Sequence, residues 1–245
     1  MTQSPLKLGL ALGSIAFAVL LAGAAGWLIG YRHAFPGTAR GQPAPAEPVI
    51  GQAPSYTGLT NQLGRPVDST QFRGQVRLVT FQFAYCRTYC PLIAAHLTDF
   101  EHTLADAHLR DRVQLVSFNV DPEGTGPPQM RAFLREYGWD PHDLHWQYLT
   151  GTPQTIRRVV RQGYHIAYRK VPEDDEPEAA GASSRLEIAN PLAERVAPGY
   201  DITHNDALIV VDPQGRIRKV FSQADRLSAQ RLLKAIRPLL PGSSA

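Results

Sequence analysis

Cysteine is almost missing from this 245-residue chain: there are two, Cys86 and Cys90, four positions apart. So few cannot build a disulfide scaffold, and a bridge across so short a loop would remove little unfolded-state entropy. Two thiols placed this close read instead as a working pair. Their spacing holds one residue more than the usual reductase pair, and no Pro-x-x-x-Thr-x-x-Cys run is present, which argues against a peroxidase. Runs of Lys and Arg along a helix face are also missing, and the net charge is only +3, so a nucleic-acid partner is not expected. The 43% hydrophobic and 19% charged residues are those of a globular protein, and the length allows one domain with extras rather than two.

Charge is absent from Leu8 to Gly30, a run of Leu, Ala, Gly, Ile, Val and Phe broken only by Ser14. As a helix it would span about 30 Å, the thickness of a bilayer core, and it is expected to be a transmembrane anchor behind a short tail at 1–7. Ala22-Gly23-Ala24 resembles a signal-peptidase site, but the apolar run continues past it through Trp27, Leu28 and Ile29. Lys7 on one side is balanced by Arg32 and Arg40 on the other, so charge bias alone does not orient the span. Residues 31–54 carry Pro36, Pro43, Pro45, Pro48 and Pro54 among Gly, Ala and Gln, the composition of a semi-rigid linker.

Residues 55–241 carry the pattern of an α/β domain. Val76–Phe83 and Val113–Val120 read as strands buried on both faces, and Trp146–Leu149 as a third. Ile93, Leu97, Phe100 and Leu104 recur at helical spacing after the cysteines, with Pro91 in the first turn. Met130, Phe133, Leu134 and Tyr137 mark a second helix stopped by Gly138, and Thr152-Pro153 is a helix start. Ala207–Val211, the turn Asp212-Pro213-Gln214-Gly215 and Ile217–Phe221 form a hairpin, followed by a helix carrying Leu232, Leu233 and Ile236. A central sheet with helices on both faces follows. Pro172–Pro198, acidic at Glu173-Asp174-Asp175-Glu176 and without periodicity, reads as an inserted mobile loop.

The cysteines sit where a strand ends and a helix begins, the place where ligands gather in open α/β sheets. Thiolates at that position, favoured by the helix amino end near Cys90 and by Arg87, can form a disulfide or bind one soft metal ion. Among the histidines, His102 and His108 are expected to face solvent, His96 lies closest to the cysteines by sequence, and His165 reads as a structural residue on a strand. His142 and His145 have metal-like spacing but lie in a loop with no third ligand.

Phe81-Gln82-Phe83-Ala84-Tyr85-Cys86-Arg87-Thr88-Tyr89-Cys90-Pro91 resembles the cysteine signature of the Sco/SenC copper proteins. Ser117 to Glu123, ending Asp121-Pro122-Glu123, is similar to that family's second strand, and Leu149-Thr150-Gly151-Thr152-Pro153 to its Leu-Thr-Gly-Thr segment. Tyr200-Asp201-Ile202-Thr203-His204 resembles the segment with the distal histidine, and the order of the whole holds from Pro54 to Leu240. The family's common Pro-Asp after the first cysteine is replaced here by Arg87-Thr88-Tyr89, which reverses the local charge.

The resemblance implies a thioredoxin-like domain that binds copper through Cys86, Cys90 and His204. It also implies a role in assembling the copper A site of cytochrome c oxidase, with that subunit or another copper protein as partner. The domain would be held by a single-pass anchor on the extracytoplasmic, periplasmic side of a bacterial cytoplasmic membrane. Two thiolates and an imidazole suit copper in either oxidation state, and zinc is the runner-up metal. An enzyme in the strict sense is not expected. Two other functions stay open: a thiol-disulfide oxidoreductase using Cys86 and Cys90 as a redox pair, and a sensor that only signals. His204 separates delivery from exchange, because disulfide exchange does not need it.

Overall fold

The computed structural model describes residues 48–172, 190–196 and 198–240. In chain order they form β1 (Gly51–Gln52), β2 (Leu59–Thr60), β3 (Pro66–Val67), β4 (Val76–Gln82), α1 (Tyr89–Asp106), β5 (Val113–Asn119) and α2 (Pro127–Glu136). There follow β6 (Trp146–Leu149), α3 (Pro153–Arg157, continued as a π-helical turn to Gly163), β7 (Tyr168–Pro172) and α4 (Pro191–Val196). β8 (Tyr200–His204), β9 (Leu208–Val211), β10 (Arg216–Phe221) and α5 (Ala229–Ile236) complete it.

The main sheet has the order β1-β10-β9-β4-β5-β6, with β4, β5 and β6 parallel and the β9–β10 hairpin antiparallel beside β4. Every residue of β4 and β5 is buried, the polar Thr80, Gln82, Ser117 and Asn119 along with the apolar ones, as expected of strands covered on both faces. α1 and α2 lie on one face, the Thr98 hydroxyl of α1 donating to the Tyr137 carbonyl at the end of α2 at 3.0 Å, and α5 packs against α1 there. On the other face Phe81 and Phe118, partners in register, meet Tyr164 from the end of the π-helical turn, each at 5.6 Å between ring centres. Some buried polar groups of the sheet satisfy one another: Thr80 and Ser117 lie 2.8 Å apart, and the Trp146 indole donates to the Ser117 hydroxyl at 2.9 Å.

The expected strands, the Thr152 cap and the closing hairpin all occur, and Gly138 adopts the left-handed φ of 80° that ends α2. Two expectations need correction. His165 is on no strand: it is exposed, with φ 58°, in the connection before β7. The stretch from Pro172 to Pro198 is not wholly unpacked, because Asn190, Leu192 and Ala193 are buried and residues from Pro191 form α4. The span Leu8–Gly30 and the linker up to residue 47 lie outside the described residues, among which no helix is long and apolar enough to cross a membrane.

His145 is absorbed by structure rather than by a metal. Its Nδ1 lies 2.6 Å from the buried Glu101 carboxylate on α1, and the same carboxylate accepts from Arg110 at 3.0 Å. Burial alone would lower the His145 pKa, but the hydrogen bond and charge of Glu101 outweigh it and raise the value. A raised folded pKa means that this contribution to stability is complete below the unfolded value of about 6.5 and is lost as pH rises through the folded value. Thermal unfolding followed across that window is expected to show wild type losing stability with a slope of up to about 1.4 kcal/mol per pH unit. In His145→Asn the slope should shrink, leaving the share of His204 and Asp206; an unchanged slope would remove the pair from the account.

Candidate metal centre

After β4 the chain turns at once, with the Cys86 N–H donating to the Phe83 carbonyl at 3.1 Å, and re-enters regular structure as α1 at Tyr89. Cys86 thus ends the loop and Cys90 occupies the first turn of the helix, both buried and both free thiols. Tyr89 between them is turned to solvent. The third group arrives from a separate two-stranded ribbon of β7 and β8, whose last residue is His204. Cys86 Sγ, Cys90 Sγ and one imidazole nitrogen all lie within 4.8 Å of one another, the one such cluster among the described residues. His142, His145, His102 and His108 stay outside it.

The histidine's orientation is fixed chemically. Nδ1 lies 2.8 Å from the Asn205 carbonyl, which can only accept, so Nδ1 carries the proton and Nε2 is directed to the Cys90 sulfur at 3.5 Å. A backbone carbonyl behind the distal nitrogen is the usual support of a ligating imidazole.

The two thiols are driven apart. The hydrogen bond from Cys90 holds the Cys86 thiol well below its ordinary value, against burial and with help from His204 and Thr88. Burial, then the hydrogen bond and charge of Cys86, push Cys90 well up. Burial would lower His204, but the hydrogen bond and charge of Cys86 raise it overall. The shifts run in opposite directions, down at Cys86 and up at Cys90, the reverse of the preference expected from the helix end. Arg87 donates to the Ala193 carbonyl of α4 at 3.4 Å. Nearby, burial and the hydrogen bond that protonated Asp206 gives to the Asp225 carboxylate raise Asp206 to about 6.

Two supports of this centre were not read from the sequence. Asn190 donates to the carbonyls of Ala84 and Cys86 at 3.1 and 2.7 Å, while its oxygen accepts from the N–H groups of Leu192 and Ala193. One side chain thereby caps α4 and clamps the cysteine loop; the Asn190-Pro191 pair, a capping residue before a first-turn proline, was the available signal. The second is Asp121 at the end of β5, which accepts from the Tyr200 hydroxyl at 2.7 Å and ties the histidine strand to the sheet. Phe83 stacks on the Tyr200 ring at 5.7 Å, and a methyl on Gly124 would collide with both the hydroxyl and the carboxylate.

The residues fit a soft metal. Sulfurs bonded to one ion at about 2.3 Å can be no more than about 4.6 Å apart, so closing a cluster of this size needs a shift of under about an ångström. Two sulfurs and an imidazole are a donor set for copper or zinc.

Comparison with known proteins agrees with that chemistry. The SCO1 protein homolog of Bacillus subtilis is 24% identical over 194 residues, covering 78% of this chain and 84% of its own. The copper-bound structure of Bradyrhizobium japonicum ScoI superposes with a TM-score of 0.57 at 22% identity, over 77% of this chain and 99% of that one. BsSco, described as carrying a disulfide switch and as a member of the Sco family of cytochrome c oxidase assembly proteins, gives 0.59 at 24% identity, over 79% and 95%. At such identities the structures speak for the fold. The family itself is shown by the SCO1/SenC match at residues 52–185, which is more than half of the chain and contains both cysteines: this protein belongs to the SCO1/SenC family.

Proposed function

We propose that this domain binds one copper ion through Cys86, Cys90 and His204 and delivers it to the copper A site of cytochrome c oxidase or to another copper protein at the same membrane. The convergence of three soft donors within 4.8 Å, one of them brought from a separate ribbon, carries the reading. Disulfide exchange can proceed without such a histidine, whereas a copper ion passing between soft sites by ligand exchange gains its third donor from it. The Leu8–Gly30 run supports an uncleaved anchor, and the delivery role favours the periplasmic side of the cytoplasmic membrane, within reach of an embedded acceptor.

A second reading rests on the lowered Cys86 thiol, whose shift favours the nucleophilic thiolate form. It would attack a partner's disulfide, and Cys90 would then displace the mixed bond, leaving the partner with two thiols and this protein with the Cys86–Cys90 disulfide. Rescue of a deletion strain separates the two. Under limiting copper, His204→Ala is expected to restore less than about a tenth of copper A assembly while remaining able to reduce disulfides, a metal-affinity loss of at least tenfold. Full rescue by His204→Ala would replace delivery with reduction. In the same cells the protein should stay in carbonate-washed membranes, and a shortened soluble form would disprove the anchor.

A further inference from the structure

Beside the metal centre lies a cavity of about 230 Å³, walled by the end of β5, by α3 with its π-helical turn, and by the β7–β8 ribbon. Four cations line it. Arg157 and Arg161 come from successive turns of one helix, and Arg169 and Lys170 from β7. All four are exposed, and none forms an ion pair among the described residues. Arg161 stands 5.8 Å from the Tyr168 ring and Lys170 3.4 Å from that of Tyr200, so two are held in place by aromatic faces that leave their charge unpaired. Two carboxylates also line the cavity, Glu123 and Asp121, and the latter is already engaged by the Tyr200 hydroxyl.

Register relates this cavity to the metal donors. Tyr168 is directly opposite His204 in the β7–β8 ribbon, and Lys170 opposite Ile202. Opposed residues, and residues two apart on one strand, share a face. Tyr168, Lys170 and Ile202 in the cavity wall therefore lie on the same ribbon face as His204, with Ile202 about 7 Å along the strand from it. We propose that the cleft is the docking site for an acidic segment of the protein that receives the metal, its Asp and Glu side chains entering between the guanidinium groups and setting the acceptor's own ligands beside Cys86, Cys90 and His204. Planar guanidinium groups recognise carboxylates through paired hydrogen bonds, and a space this small takes one or two such side chains rather than a cofactor. The identity of the partner rests on the delivery reading; the cleft's preference for carboxylates does not.

The test uses the full chain in detergent and a labelled peptide of alternating Asp, Glu and Gly, read by fluorescence anisotropy, with bound copper measured on every sample. Arg157→Glu/Arg169→Glu should weaken peptide binding at least tenfold, while Arg158→Glu, on the same helix but not in the cavity wall, should change it less than twofold. Both variants should keep wild-type copper, and wild-type binding should weaken steeply as salt rises to about 0.15 M. Equal binding by the cleft variant would overturn the proposal. So would displacement of the peptide by inorganic phosphate at equal concentration, or a greater effect on phosphatidylglycerol vesicles than on peptide. Tight binding only after Glu173, Asp174, Asp175 and Glu176 are exchanged for serine would assign the cleft to the chain's own acidic run and sink it as well. Cleft-dependent peptide binding in a wild type that holds no copper would support the docking site while defeating the delivery reading.

Discussion

Cys86→Ser and Cys90→Ser are each expected to lower copper affinity by more than about a hundredfold, beyond the 10- to 100-fold loss that removing a ligand's outer support brings. Hydroxyl oxygen is a hard, neutral donor that stays protonated, so either substitution leaves one sulfur and one imidazole, too few soft ligands to compete for the ion. Competition with a copper(I) chelator measures the loss. The two variants should differ elsewhere: with Cys86 shifted down and Cys90 up, rapid alkylation near neutral pH should disappear in Cys86→Ser and survive in part in Cys90→Ser. For wild type, protons and metal compete for the same atoms, and the raised His204 value means that affinity begins to fall at a higher pH than an ordinary histidine would impose. Copper retained by Cys86→Ser would remove that sulfur from the centre.

Asn190→Leu is expected to cost roughly 3–5 kcal/mol and to loosen the centre without touching a donor atom, since each buried group left unpaired costs about 1–3 kcal/mol. The carbonyls of Ala84 and Cys86 lose their donor, and the first N–H groups of α4 lose their cap, all at a position that is 1% exposed. Urea unfolding measures the first effect and chelator competition the second, where a loss of roughly tenfold or more is expected. Asn190→Asp is the informative companion: it can keep the cap, but an ionised carboxylate facing two carbonyls repels the loop. Deleting 173–189 while keeping Asn190 is the matched control and should be far milder, as loop closure depends weakly on length. Stability within about 0.5 kcal/mol of wild type in Asn190→Leu would show that the clamp is incidental.

The sequence by itself determined the strands at Val76, Val113 and Trp146, the helix after the cysteines, the closing hairpin and the pairing of Cys86 with Cys90. Each is local: hydrophobic period, capping residues and turn residues act within a few positions and leave their mark on composition. His204 could be named only through resemblance, because nothing near it in the chain says that its imidazole will meet a sulfur 114 residues away. Tertiary structure alone decided the rest. It set the opposite shifts of the two thiols, because these depend on who donates to whom across the loop rather than on the helix end. It turned Asn190 and Asp121 into supports of the centre by bringing them against Cys86 and Tyr200. It also gathered Arg157, Arg161, Arg169 and Lys170, unremarkable along the chain, around one cavity beside the metal donors, because a helix and a strand that no local pattern relates were packed edge to edge.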